Sequence, residues 1–341
     1  MRGFFKPRDS QAQVAPQGMP SPERADALLQ RLEWTVLRRL DGVLQGDHRT
    51  LMRGSGLDLS DLREYQHHDD VRHIDWNVTA RMQQPHVRVF TEDREMAAWF
   101  LLDLSPSVDF GSGEQRKSDV LQGFVGVLSR LISRHGNRVG AMLWGAGSDA
   151  VLPARGGRLQ VLQLLQRIQS AGFAARARSG VDGVTRLADL LQAATHTLRQ
   201  RSTVFVVSDF ISEPGWEKAL RALAMRHDVV AVRLLDPLEL NLPDLGWINL
   251  RDAETGEQLL VDTHDRGFRQ RFARIAAQRE AELRESLAKA GVDTLELATD
   301  DDLVEAVLRF VELRRYQRSP ARLGAAERLP AHLKAKGRLA A

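Results

Sequence analysis

FLLDLSPSVDF, residues 100–110, runs from an apolar stretch into an aspartate, Asp103, and then into two serines spaced two residues apart, Ser105 and Ser107. A short apolar run of this kind fits a strand buried on both faces. Strands usually close in glycine, proline or asparagine, so a carboxylate followed by two hydroxyls gives this end a chemistry of its own. The pattern recurs in VFVVSDF, 204–210, where Asp209 closes a second buried run.

From 96 onward such runs alternate with amphipathic stretches. Strands are expected over 97–102, 138–144, 203–208, 228–235 and 293–297. Helices are expected over 114–135, 158–169, 184–199, 216–226, 265–290 and 301–316. Near-continuous apolar strands separated by helices predict an α/β fold with a doubly wound, mostly parallel sheet covered on both faces. GAMLWGAGSDAVLPA, 140–154, turns back on itself and predicts one antiparallel edge strand. In the 114–135 helix Leu121, Phe124, Leu128, Leu131 and Ile132 share a face, and Ser112 with Gln115 fits a capping box.

The chain divides around this unit. Residues 1–20 are polar and rich in Pro, Gln and Gly, which predicts disorder. Residues 21–95 are expected to form an N-terminal helix and a small β-rich accessory segment. Ser21 and Pro22 give a helix start, Ala25, Leu28, Leu29, Leu32, Val36 and Leu40 form its stripe, and HVRVF (86–90) reads as a strand. Residues 96–316 form the sheet domain, and 317–341 a basic flexible tail.

With 341 residues and 43% hydrophobic content the chain can bury a sizeable core. The formal charge is +3, but the tail from Ser319 holds five Lys/Arg against one Glu, so the remainder is close to −1. Bulk charge therefore does not point to nucleic acid. The arginines of 265–290 interleave with Glu280, Glu282 and Glu285, which fits a solvated, ion-paired face. No apolar run reaches the roughly 18 residues of a membrane span, and MRGFFKPRDS has neither the apolar stretch nor the cleavage site of an export signal. There are no cysteines, so disulfides and thiolate metal sites are excluded, and a cytoplasmic location is expected.

In open α/β sheets ligands sit beyond the carboxyl ends of the strands, where strand order reverses. Asp103, Ser105 and Ser107 lie at one such end and Asp209 at another, with Thr185, in the turn before a helix, as a third contributor. Two carboxylates and three hydroxyls make a hard oxygen set without imidazole or thiolate, suited to Mg2+ or Mn2+. Ser and Thr bring no charge, which leaves room for a carboxylate from another molecule. The competing reading is a helix-approach loop with capping side chains, in which Thr185 or Asp182 is an N-cap.

D-L-S-P-S at 103–107, Thr185 within GVTRL and Asp209 within VVSDF resemble, in order and approximate spacing, the metal-ion-dependent adhesion site of von Willebrand factor A domains. Upstream, RGSGLDLSDLREYQHHDDVRHIDWNVTARMQQPHVRVFTEDRE, 53–95, is similar to the signature of the bacterial domain-of-unknown-function family 58: a glycine pair, R-E-Y, D-D-x-R-x-I-D-W and A-R, leading into an A-type domain. The resemblance covers roughly residues 50–315. It implies a von Willebrand A-like fold with no catalytic residues, in which Ser105 and Ser107 bind the metal directly. Thr185 would bind in one conformation, and Asp103 and Asp209 directly or through water. It also implies a MoxR-type AAA+ ATPase as partner and an acidic protein client. Ser208-Asp209-Phe210 departs from the usual T-D-G by keeping a hydroxyl and losing the glycine.

Other readings are weaker on residue grounds. A Mg2+-dependent phosphohydrolase or nuclease using Asp103 and Asp209 is the enzymatic alternative, but Ser105 stands where an aspartyl-phosphate enzyme needs its second carboxylate. The chain has no G-x-S-x-G elbow and no Gly-Lys-Ser/Thr phosphate loop. HHDD (67–70) with Asp75 fits no metal-ligand spacing. Arg63, Arg72 and Arg81 pairing with Asp75 and Glu64 explains it better, with Tyr65 and Trp76 as core anchors and Asp70 capping a short helix over 71–76.

Overall fold

The computed structural model describes residues 22–32, 59–66, 69, 71, 74–90, 97–145, 149–177, 186–251 and 258–318. Ser21, Val36, Leu40, His67, His68, Asp70, Arg72, Thr185, the 1–20 segment and the tail from 319 lie outside them.

Helix α1 (Pro22–Leu32) starts at its proline, where the missing N–H costs no hydrogen bond. It is followed by β1 (Leu59–Glu64), α2 (Trp76–Met82) and β2 (His86–Phe90), with β1 and β2 paired antiparallel. Two expectations for this segment change. Asp75 caps α2, accepting from Asn77 N at 3.0 Å and Val78 N at 3.2 Å, and Arg63 pairs with Asp69 at 2.6 Å instead of with Asp75 or Glu64. Trp76 is no core anchor: it is 70% exposed, on a helix that buries none of its residues.

The main unit runs β3 (Ala97–Asp103), a 3-10 turn (Pro106–Asp109), α3 (Lys117–Arg134), β4 (Arg138–Trp144), β5 (Ala150–Arg155), α4 (Arg158–Ala177), α5 (Leu187–Thr197), β6 (Thr203–Ser208), α6 (Trp216–Arg226) and β7 (Asp228–Leu235). After one helical turn, α7 (Pro237–Leu240), come the hairpin β8 (Trp247–Arg251) and β9 (Gln258–Asp262), helix α8 (Arg266–Ala290), β10 (Asp293–Ala298) and α9 (Leu303–Arg318). The sheet order is β10-β7-β6-β3-β4-β5, all parallel except β5, which returns antiparallel along β4. This is the doubly wound order 3-2-1-4-5-6 with its third strand reversed; the doubly wound class and the antiparallel edge strand are as the sequence predicts. The β8–β9 hairpin was not predicted.

Strand side chains alternate between two cores. On one face Phe100, Leu102, Phe205 and Val232 pack under α3 and α9; Phe100 and Phe205 stack with centroids 5.3 Å apart and Phe124 meets Phe100 edge-on at 6.5 Å. On the other, Leu101, Val204, Val206 and Ala231 lie under α5, α6 and α8. Trp99 lies beside its registered partner Gly140, where a Cβ would fall 2.9 Å from the indole, so only glycine fits there. Helix α1 joins this unit by burying Ala25 and Leu29 against Val161 and Leu165, with Asp26 and Arg158 paired at 2.7 Å.

Candidate metal centre

Strand order reverses between β3 and β6, the central pair, where one connection leads outward to β4 and the other to β7. Asp103 ends β3 and Asp209 follows β6 by one residue, so the two carboxylates face the same crevice. Asp103 Oδ1 accepts from Ser105 N at 3.0 Å, and its Oδ2 accepts from Ser208 Oγ at 2.6 Å. The Ser105 and Ser107 hydroxyls are 2.9 Å apart, brought together by the 3-10 turn. Gly145, at φ +91°, lies against this loop, and a Cβ there would sit 3.0 Å from Ser105 N. Asp103, Ser105, Ser107 and Asp209 are all buried. Thr185 is not among the described residues, but its neighbours are tied to the Asp209 loop: Leu187 N donates to Ser212 Oγ at 3.0 Å, and Arg186 pairs with Glu213 at 2.8 Å.

The departure from T-D-G has a structural answer. Phe210 takes φ +59°, a left-handed backbone that costs an L-residue roughly 1–2 kcal/mol. Its ring is buried 5.3 Å from that of Trp216, and its N–H donates to Ser208 Oγ at 2.9 Å. Packing thus holds a conformation that glycine would adopt freely.

The electrostatics are set by a residue that was not singled out from the sequence. Lys117, the first residue of α3, is 1% exposed, and its ammonium lies 2.9 Å from Asp209 Oδ2 and 2.7 Å from Glu239 Oε1. Desolvation opposes its charge, yet Asp209 and Glu239 outweigh that and hold its pKa above the ordinary lysine value. Among the described residues Asp103 has no such cationic partner. Burial, and next the charge of Asp209, push it up to about 6 despite the bonds from Ser208 and Ser105. No described residue therefore places positive charge on the Asp103 side of the site, and the Asp103 oxygens keep lone pairs beyond the bonds from Ser208 and Ser105. Two carboxylates and a hydroxyl pair so arranged fit a hard divalent cation. Among the described residues no group of three or more His, Asp or Glu side chains is arranged to hold a metal.

A second carboxylate knits the surrounding loops together. Asp236, fully buried after β7, accepts from Ser112 N and Oγ at 2.9 and 2.6 Å, from Leu238 N at 2.9 Å and from Thr299 Oγ1 at 2.8 Å. Ser112 is thus not the expected helix cap. The helix starts five residues later, where Asp119 accepts from Arg116 N at 3.0 Å, and the Ser112 hydroxyl is used across the fold. Desolvation raises the Asp236 pKa, but these four bonds outweigh it and the net shift is downward. A depressed carboxyl contributes stability above its unfolded value near 3.8 and loses it as pH falls through the lower folded value. Asp236→Ala, which strands buried donors on three loops, is expected to cost about 3–5 kcal/mol in urea unfolding at neutral pH. A loss below about 1 kcal/mol would contradict this role.

An uncharacterized protein of Mycobacterium tuberculosis strain H37Rv is 39% identical over 291 residues, 85% of this chain and 89% of that protein. One of Mycobacterium avium is 37% identical over 166 residues, 48% of this chain and 94% of its own. Among solved structures, an aerotolerance-related membrane protein of Bacteroides fragilis is similar at 14% identity and TM-score 0.41, covering 65% of this chain and 99% of that one. The conserved hypothetical protein BatB of Bacteroides thetaiotaomicron is similar at 17% identity and TM-score 0.38, covering 66% and 100%. The family described as "Protein of unknown function DUF58" matches residues 61–282, and with 39% identity to the mycobacterial protein across most of both chains, this protein belongs to that family.

Proposed function

We propose that this chain is a non-enzymatic protein-interaction module whose crevice between β3 and β6 is a metal-ion-dependent adhesion site. Asp103, Ser105, Ser107, Thr185 and Asp209 hold Mg2+ or Mn2+ and an acidic side chain of a client protein completes the site. The bound ion supplies positive charge and a coordination position for that carboxylate. Asp103 and Asp209 set the charge, while Ser105 and Ser107 position neutral oxygens. The observation that carries the reading is the placement of two buried carboxylates, Asp103 and Asp209, at the carboxyl ends of the neighbouring strands β3 and β6, beside the Ser105–Ser107 hydroxyl pair. The resemblance to the family extends the proposal to a MoxR-type AAA+ ATPase as the partner to which the client is delivered. A cytoplasmic setting belongs to the same proposal; no helix among the described residues is long and apolar enough to cross a membrane.

Calorimetric titration of the full chain with Mn2+ tests the site. One ion per chain is expected, with Ser105→Ala weakening binding at least tenfold, since a direct ligand is lost. No Mn2+ binding, or a Ser105→Ala protein that binds as well as wild type, overturns the reading. Capture on the immobilised chain is expected to retain the AAA+ ATPase or client in Mg2+ and release the client in EDTA.

A further inference from the structure

Lys117 is an unusual residue to find where it is. A lysine at the first position of a helix places positive charge at the positive end of the helix dipole, and full burial removes its hydration. Here that unfavourable placement is offset by two carboxylates reached across the fold, Asp209 at 2.9 Å and Glu239 at 2.7 Å, 92 and 122 residues away in sequence. Its backbone N–H also donates to Phe110 O at 2.9 Å, and the ammonium lies 5.9 Å from the Phe110 ring. Both Asp209 oxygens are engaged: Oδ1 accepts from Ile211 N at 3.0 Å and Oδ2 from the ammonium. A cation seeking Asp209 must share it with Lys117. Glu239 pulls the ammonium the other way. Its remaining oxygen accepts from Asp236 N at 3.0 Å, which fixes Glu239 to the Asp236 knot.

We propose that Lys117 is the resident cation of the site, that it competes with the divalent ion for Asp209, and that its division between Asp209 and Glu239 sets how tightly the ion is held. This deepens the metal reading above and rests on it. Lys117 is a positioning residue: it touches a ligand of the ion, and its charge opposes the ion directly.

The test uses opposite signs. In Mn2+ titrations of the full chain, Lys117→Met removes the competing charge and is expected to bind at least tenfold more tightly than wild type. Glu239→Gln leaves the ammonium to Asp209 alone and is expected to bind at least threefold more weakly. Lys117→Arg keeps the charge and is expected to stay within threefold of wild type. General structural damage weakens binding in every variant and cannot produce this pattern. If wild type binds Mn2+ while Lys117→Met binds equally or more weakly, this inference fails and the metal reading stands; if no variant binds, both fail. Should Lys117→Met not fold, Glu239→Gln decides, and unchanged or tighter binding there overturns the inference.

Discussion

Asp103→Asn is expected to make the chain more stable in EDTA at about pH 8 and, at the same time, to abolish its stabilisation by Mg2+ or Mn2+. Both effects come from one fact. Burial and the neighbouring charge of Asp209 raise the Asp103 carboxyl from 3.8 to about 6. A raised carboxyl contributes stability that is complete below its unfolded value and is lost as pH rises through its folded value. Across a window from about pH 4 to about pH 6 the wild type thus gives up on the order of 3 kcal/mol through this group. Asparagine has no charge to desolvate, so its stability should be flat through that window as far as this site is concerned. Its carbonyl can still accept from Ser105 N. If Asp103 binds the ion as proposed, the same change removes an anionic ligand, and binding should weaken at least a hundredfold. Urea unfolding of wild type and variant at about pH 5 and about pH 8, in EDTA and in excess Mn2+, reads both effects. A variant less stable than wild type in EDTA at about pH 8 would show that the carboxylates are not in conflict, and the argument for a cation between them would lose its basis.

The two buried carboxylates at neighbouring strand ends were readable in the sequence because strand ends are marked locally. FLLD and VVSD both announce a buried run and the carboxylate that closes it. The parallel, doubly wound sheet followed from alternation, and the reversed edge strand from a turn after Trp144, while the strand order itself did not. What escaped was whatever depends on long-range pairing. Ser112 looks like a helix cap because local hydroxyls usually are, yet its partner Asp236 is 124 residues away. Lys117 reads as an ordinary polar residue ahead of an apolar stripe, and nothing nearby announces Asp209 or Glu239. A signal did exist for Asp236: it closes the 228–235 strand just as Asp103 and Asp209 close theirs, and D-P-L-E is a capping pattern. The β8–β9 hairpin was missed because Leu259 and Leu260 are consecutive and both exposed, which breaks the alternation that marks a half-buried strand.

Arg314→Ala is expected to bring the chain close to unfolding while leaving the proposed metal site of the folded molecules unchanged. Arg314 lies on α9 and is 1% exposed. Its Nη2 reaches both oxygens of Asp228 at 2.8 and 3.0 Å, and its Nε is 2.9 Å from Asp293 Oδ2. Asp228 begins β7 and Asp293 begins β10, so this clamp lies at the amino ends of two paired strands, opposite the edge that carries Asp103 and Asp209. The guanidinium also lies over the Phe310 ring at 5.6 Å. Truncation strands the buried Asp228 carboxylate, and removing one partner of a buried ion pair typically costs about 3–5 kcal/mol. Against a total stability of roughly 5–15 kcal/mol for a globular chain, that is a large fraction. Most of the loss comes from the orphaned charge, so removing it as well should restore stability: Arg314→Met with Asp228→Leu is expected to recover at least half of what Arg314→Ala loses. Urea unfolding of the three proteins measures this, and Mn2+ titration below the unfolding transition checks the remote edge. A single-variant loss under about 1 kcal/mol, or a double variant no better than the single, would mean that α9 is held by its apolar face alone, through Val304, Val307, Phe310 and Val311.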